Sequence, residues 1–302
     1  MNEPMRKYMR VGIVHFMAFP ATIKGEGPIE ETVRAVCQDD YFDVIEVTWM
    51  KDPAVRARVR KMAETAGVTL TYGAQPRMLT TASNINDLDE SKREAALASL
   101  MAGVDEAYEL GAKGFAFLSG KYAEATKEES YAALADSTDR LCRHAAAKGD
   151  MPVLLEVFDY DFDKASLIGP APLARRFAEE MKCMHGNFGL MVDLSHIVQI
   201  RETLRENILP IAPYVRHAHV ANAVLKAGCE AVGDMHPRFG FPECAIGVDE
   251  VVAYLRILLD IGYLNTKNPP IVSFEVKPWG DEEPELVIAN AKRVLNEAWA
   301  RL

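Results

Sequence analysis

Eight short apolar runs punctuate the chain: VGIVHF (residues 11–16), DVIEVT (43–48), TLTYG (69–73), GFAFL (114–118), VLLEVF (153–158), GLMVDL (189–194), VRHAHV (215–220) and IVSFEV (271–276). Each has the length of a strand and is almost continuously apolar, the pattern of a strand covered on both faces. Between the runs, apolar positions return at helical spacing. Asp52 and Pro53 supply a cap and a first-turn residue, Val55, Val59, Met62 and Ala66 follow on one face, and Gly67 marks the stop. Leu97, Met101, Val104 and Tyr108 repeat the pattern up to Gly111. Further helices are expected over residues 128–148, 172–183, 201–209, 249–261 and 285–300. Strict alternation of strand and helix predicts a parallel sheet sheathed in helices, and eight such units in 302 residues fit a (β/α)8 barrel, one domain over residues 1–302. An open doubly wound sheet is the rival architecture. Against it, the chain after the first run reads MAFPATIKGEGP, which is no glycine-rich phosphate loop.

In a barrel the C-terminal strand ends share one face. Glu156, Asp193, His219 and Glu275 all stand near such ends. A carboxylate buried in an apolar strand needs a partner, and a divalent metal supplies it. Three carboxylates and one imidazole make a mainly hard-oxygen set, suited to Mn²⁺ first and to Mg²⁺ or Co²⁺ as alternatives. Because side chains alternate along a strand, His217 shares the face of His219, and Lys277 shares that of Ser273 and Glu275. His15 and Glu46 are expected to line the same mouth as substrate-binding residues. His217 is read either as a core histidine or as a group orienting the ligands and substrate. His196, three residues past Asp193, lies where the chain leaves the strand and can meet substrate. Lys277 would place a positive charge beside a metal, which an anionic substrate offsets. The segment 228–247 is long for a barrel connection and rich in turn formers, and it carries Asp234, His236 and Arg238, placed to close over a polar substrate. An oligomer contact or a plain lid is the alternative for that segment. The stretch DYDFDKASLIGP (159–170) is expected to be a lid that binds sugar hydroxyls. His144 and His185 are read as surface residues.

Composition narrows the class. With 49% hydrophobic and 26% charged residues the chain is ordinary for a globular protein, and no run approaches the ~18 apolar residues of a membrane span. Five cysteines without a CxxC indicate neither a disulfide framework nor a zinc knuckle. The start, MNEPMRKYMR, has no apolar signal core, so a cytoplasmic location is expected. A formal charge of -10 opposes binding to a phosphate backbone, and small molecules become the expected partners.

The stretches LLEVFD, LMVDLSH, HAHVAN and VSFEVKP make the chain, over nearly its whole length, similar to the xylose-isomerase-like barrels, a superfamily of sugar isomerases and epimerases that also contains endonuclease IV. In the ketose 3-epimerases of that group these stretches hold Glu, Asp followed three residues later by His, His, and Glu. The resemblance implies that Glu156, Asp193, His219 and Glu275 are metal ligands, that His196 touches substrate, and that Glu156 and Glu275 transfer protons through a metal-stabilised enediolate. It also implies a homo-oligomer. Two departures stand out. Phe162, flanked by Asp161 and Asp163, occupies the place of a substrate-binding glutamate, and the connection from His219 to Glu275 is longer. HFMAFP, DYDFDKASLIGP and DMHPRFGFP further resemble the catalytic subunits of bacterial C-glycoside deglycosidases. That resemblance implies metal-assisted cleavage of 3-oxo C-glycosides and a small β-rich partner subunit. An endonuclease would need a richer set of His and carboxylate ligands and a basic face, against seven histidines and a negative charge here. A barrel that has lost catalysis would be expected to lack a ligand or a base, and none is evidently missing.

Overall fold

The structure, a computed structural model, describes residues 3–302. Strands β1 (Arg10–Val14), β2 (Val44–Val47), β3 (Thr69–Gly73), β4 (Phe115–Phe117), β5 (Val153–Val157), β6 (Phe188–Asp193), β7 (Val215–Ala221) and β8 (Ile271–Glu275) pair in parallel in chain order and close into a barrel. Around them run α1 (His15–Ala18), α2 (Ile29–Cys37), α3 (Pro53–Ala66), α4 (Gln75–Leu79), α5 (Glu90–Leu110), α6 (Lys127–Ala146), α7 (Ala171–Met184), α8 (Leu194–Ile200), α9 (Leu204–Ile211), α10 (Val248–Asp260) and α11 (Pro284–Ala300). The (β/α)8 expectation is met. Among the described residues no helix is long and apolar enough to cross a membrane.

The local rules that place the helices are the ones the sequence suggests. The Asp52 side chain accepts from Ala54 N at 2.8 Å to open α3, and Gly67, at φ 72°, ends it in the left-handed conformation glycine adopts without strain. Asp89 caps α5 by accepting from Ser91 N and Lys92 N. Asp89→Ala is expected to cost about 1 kcal/mol, a fall in Tm of about 2–4 °C by calorimetry.

One helix differs. The expected 201–209 helix is α9, starting at Leu204, because Thr203 and Glu206 form a capping box in which each side chain bonds the other's backbone N–H. Arg201 instead terminates the preceding α8 at φ 66°. The first strand also stops at Val14, so His15 and Phe16 belong to the one-turn α1.

Two cores follow from the pleat. Side chains pointing outward, such as Ile13, Ile45, Phe115, Leu155, Val192, Val220 and Phe274, join the helices in the main apolar core. Inside the barrel a separate small apolar cluster forms from Ala116, Leu154 and Met191. Much of the rest of the lumen is small or polar: Gly12, for example, lies so close to Ser273 that a Cβ there would collide with the hydroxyl. Register then sets the level of each inward group, with Val14 beside Glu46, Glu156 beside Met191, Met191 beside His217, Asp193 beside His219 and Ala221 beside Glu275. Polar inward residues thus collect at the C-terminal rim.

Candidate metal centre

At that rim Glu156, Asp193, His219 and Glu275 each offer one donor atom, and the four atoms lie within 4.8 Å of one another. The geometry divides three of these side chains into a bonded half and a bare half. Glu156 Oε2 accepts from Gln75 Nε2 at 2.9 Å, Asp193 Oδ1 accepts from Ser195 N at 2.5 Å, and His219 Nε2 lies 3.1 Å from Glu46 Oε1. The other atoms, Glu156 Oε1, Asp193 Oδ2, His219 Nδ1 and Glu275 Oε2, are buried without a hydrogen bond. His219 Nδ1 sits 2.7 Å from Glu275 Oε2, 3.6 Å from Asp193 Oδ2 and 3.7 Å from Glu156 Oε1, close enough to share one cation. The 2.7 Å contact lacks hydrogen-bond alignment. A purely structural polar network would pair these atoms with donors, since each buried, unsatisfied polar group costs about 1–3 kcal/mol and facing carboxylates repel. A divalent cation satisfies all four at once, so the residues present fit one.

Support for the ligands comes from across the lumen. Glu46 bonds both His217, at 2.6 Å, and His219, which favours the proton on Nε2 of His219, so that loss of the second proton would leave Nδ1 as the lone pair facing the cluster. Burial opposes ionisation of Glu46, but the two imidazoles outweigh it and hold the carboxyl well below the usual range. Burial likewise disfavours the charged form of His219, yet Glu46 and Glu275 raise its pKa well above the ordinary value. Burial raises Glu275.

The remaining expected residues fall into three places. Glu46 and His217 lie against the ligand His219 and are engaged with each other. His196, fully buried on α8, has Nε2 3.6 Å from Glu156 Oε1 and packs on Phe158 with ring centroids 3.8 Å apart. His236, at φ 47°, has Nε2 2.6 Å from Asp234 and 3.7 Å from Glu275 Oε1. The contacts of His15, Arg238 and Lys277 are with residues outside the four-residue cluster. His15 Nε2 bonds Thr32 Oγ1 on α2 at 2.8 Å, and burial lowers its pKa to about 3, leaving it neutral. Arg238 reaches Glu282 at 2.6 Å. The backbone N–H of Lys277 donates to His236 O at 2.7 Å, and its side chain makes no ion pair among the described residues.

The two loops expected to be lids interlock. Asp159, buried, accepts backbone N–H groups from Phe162, Asp163, Lys164 and Ala165, winding the 159–170 stretch about its carboxylate. Asp163 accepts from Asp234 N at 3.0 Å, and Asp161 pairs outward with Arg201, so neither neighbour of Phe162 enters the cluster. Of the two histidines read as surface residues, His185 is buried and bonds Asp139 at 2.8 Å. His144 pairs with Asp105 and keeps partial exposure.

Sequence reasoning passed over Gln75. It opens the five-residue α4 with no periodicity to mark it, and the signal available was its position just past the C-terminal end of β3. Gln75→Leu leaves Glu156 Oε2 unpaired and is expected to weaken divalent-cation affinity about 10- to 100-fold by calorimetric titration, with an unchanged circular dichroism spectrum.

A family model described as xylose isomerase-like TIM barrel matches residues 35–298. No curated protein matches the chain. Among solved structures, D-psicose 3-epimerase with D-tagatose from Clostridium cellulolyticum H10 superposes at TM-score 0.66 with 19% identity, covering 97% of this chain and 96% of that one. A 3-keto-D-glucoside 4-epimerase from E. coli gives TM-score 0.69 at 16% identity, over 95% and 99% of the two chains. A D-tagatose 3-epimerase-like protein gives 0.71 at 15%, over 97% and 99%. At such identities the likeness establishes the fold.

Proposed function

Because the chain belongs to the xylose isomerase-like TIM barrel family, we propose that it is a divalent-metal-dependent sugar isomerase or epimerase that moves a proton next to a sugar carbonyl. The observation that carries this reading is the set of four bare, converging donor atoms on Glu156, Asp193, His219 and Glu275. A cation held there supplies positive charge that stabilises the negative charge developing on the sugar oxygens as the carbon loses its proton. Glu156 and Glu275, on strands three apart in the ring, flank the place where that carbon sits. One carboxylate takes the proton, and the other, or His196, returns one to the opposite face of the same carbon or to its neighbour. Phe158 under His196 and the interlocked loops keep water from the reacting atoms. Manganese is the proposed metal, on the hardness of the donor set.

A second reading has its own observation. A cleft of about 440 Å³ opens beyond the ends of β3, β4 and β5, lined by Met78, Leu79, Leu118, Asn84, Lys121 and Lys164. It supports a substrate with an apolar appendage on the sugar, as a 3-oxo C-glycoside has. There the C2 proton passes to a carboxylate, the C2–H electrons form the C1=C2 double bond, the electron pair of the bond from C1 to the aglycone leaves with the aglycone, and a protonated group at the site delivers a proton to that aglycone carbon. This reading carries a small β-rich partner subunit with it. A DNA-cleaving role is opposed by the net charge of -10.

Proton NMR in D₂O with Mn²⁺-loaded protein, free ketoses, a 3-oxo C-glucoside and a chelated control separates the readings. Metal-dependent deuterium uptake into a ketose supports the first. Aglycone release with the ketoses untouched supports the second, and no turnover of either class removes both.

A further inference from the structure

We propose that Gln75 is a positioning residue that ties one hydroxyl of the sugar to Glu156, through a small polar notch on the β2–β3 side of the metal centre. The two ends of its amide are told apart by its partner. A carboxylate only accepts hydrogen bonds, so the end lying 2.9 Å from Glu156 Oε2 is the nitrogen, and the carbonyl Oε1 is the end left over. That Oε1 is buried without a hydrogen bond, on a side chain of a residue 8% exposed. It lies over Gly73, whose place on β3 next to the outward Tyr72 turns it to the lumen. A Cβ at Gly73 would stand 2.7 Å from Gln75 Oε1 and 2.9 Å from the ring of Phe16. Glycine thus forms the floor of a notch that a side chain would fill.

Thr48 brings a second bare atom to the same place. Val47 pairs with Tyr72, so the chain continues with Thr48 opposite Gly73, and alternation from Val47 in the outer core turns Thr48 to the lumen. Its Oγ1 is buried without a hydrogen bond. Gln75 and Thr48 therefore do not satisfy each other, although each unpaired buried group is costly. One sugar hydroxyl, donating to Gln75 Oε1 and accepting from the Thr48 hydroxyl, satisfies both at once. Phe16 is buried yet stands outside the main apolar core, and its ring offers the C–H face of a sugar an apolar wall. The amide then couples recognition to chemistry. A hydroxyl donated to its carbonyl polarises the group and strengthens the N–H that holds Glu156 Oε2, which keeps Oε1 of that carboxylate turned to the cluster.

This inference rests on the reading of the centre as a sugar site and deepens it by naming a free hydroxyl, away from the reacting carbon, that the substrate must carry. Calorimetric titration of Mn²⁺-saturated protein tests it, with D-fructose and D-tagatose each beside its monodeoxy forms, and a 3-oxo C-glucoside beside its 6-deoxy form. Wild type, Gln75→Leu and Thr48→Val are compared. One deoxy form is expected to bind wild type about 10- to 100-fold more weakly than its parent sugar. The penalty should vanish in Gln75→Leu and shrink in Thr48→Val, because the variants weaken the parent alone. A glutamine that merely braced Glu156 would weaken parent and deoxy forms alike. Thr48→Val leaves the bond to Glu156 in place and decides the matter should Gln75→Leu fail to fold. An equal penalty in all proteins compared, or none in wild type, overturns the notch and leaves the sugar reading standing. No binding of any of these sugars to wild type overturns both.

Discussion

Glu275→Gln is expected to lower kcat on an authentic substrate by about 10²- to 10⁴-fold while leaving the fold and most of the metal occupancy in place. The substitution is nearly isosteric, and the amide oxygen can still face the cluster, but the group loses its charge and its ability to hold a proton. Without metal, burial raises the Glu275 pKa, and a bound cation would favour its ionised, proton-accepting form. Asp193→Asn provides the contrast. Asp193 spends one oxygen capping α8 and turns the other into the cluster, so its loss acts on cation affinity and should be largely recovered in excess Mn²⁺. Steady-state kinetics against Mn²⁺ concentration separates the two. Full activity in Glu275→Gln at saturating metal would remove it from proton transfer.

Stripping the metal with a chelator is expected to abolish turnover and to lower Tm by roughly 5 °C relative to protein in Mn²⁺ at about 100 times its Kd, where mass action contributes about 2.7 kcal/mol. The stripped site keeps three facing carboxylates in a lumen with few donors, which is why the fold gains from a cation. Its affinity should rise with pH through neutrality. His219 without metal holds its proton well above the ordinary histidine range, and a cation must displace that proton to reach Nδ1. Calorimetric titrations in buffers of different ionisation enthalpy measure the proton released. A Tm indifferent to chelation and re-addition would argue that the cluster is a metal-free polar network.

The parts of this architecture legible in the sequence are those set by local rules. Strand length, apolar continuity, the cap at Asp52 and the stops at Gly67 and Gly111 depend on neighbours within a few residues, and they place the strands and most helices. The same period-two rule assigns Glu46, His217 and His219 to the lumen. It says which face a residue takes and nothing of its partner. Glu46 and His217 meet across 171 positions, and Gln75 and Glu156 across 81, distances over which a single chain carries no readable signal. Arg238 and Glu282 likewise meet across 44 positions. The histidines make the same point. A count of seven says nothing of where they lie: His15, His196, His217, His219 and His236 are all buried, and His196 and His236 meet Asp234 through a loop whose path no periodicity describes.

The central claim is that Glu156, Asp193, His219 and Glu275 hold a divalent cation. Crystals grown with Mn²⁺ and measured at the manganese absorption edge test it most directly. An anomalous peak is expected roughly 2.0–2.3 Å from Glu156 Oε1, Asp193 Oδ2, His219 Nδ1 and Glu275 Oε2 together. Fully occupied Mn²⁺ elsewhere, with those four atoms bonded to waters or to one another, would contradict it.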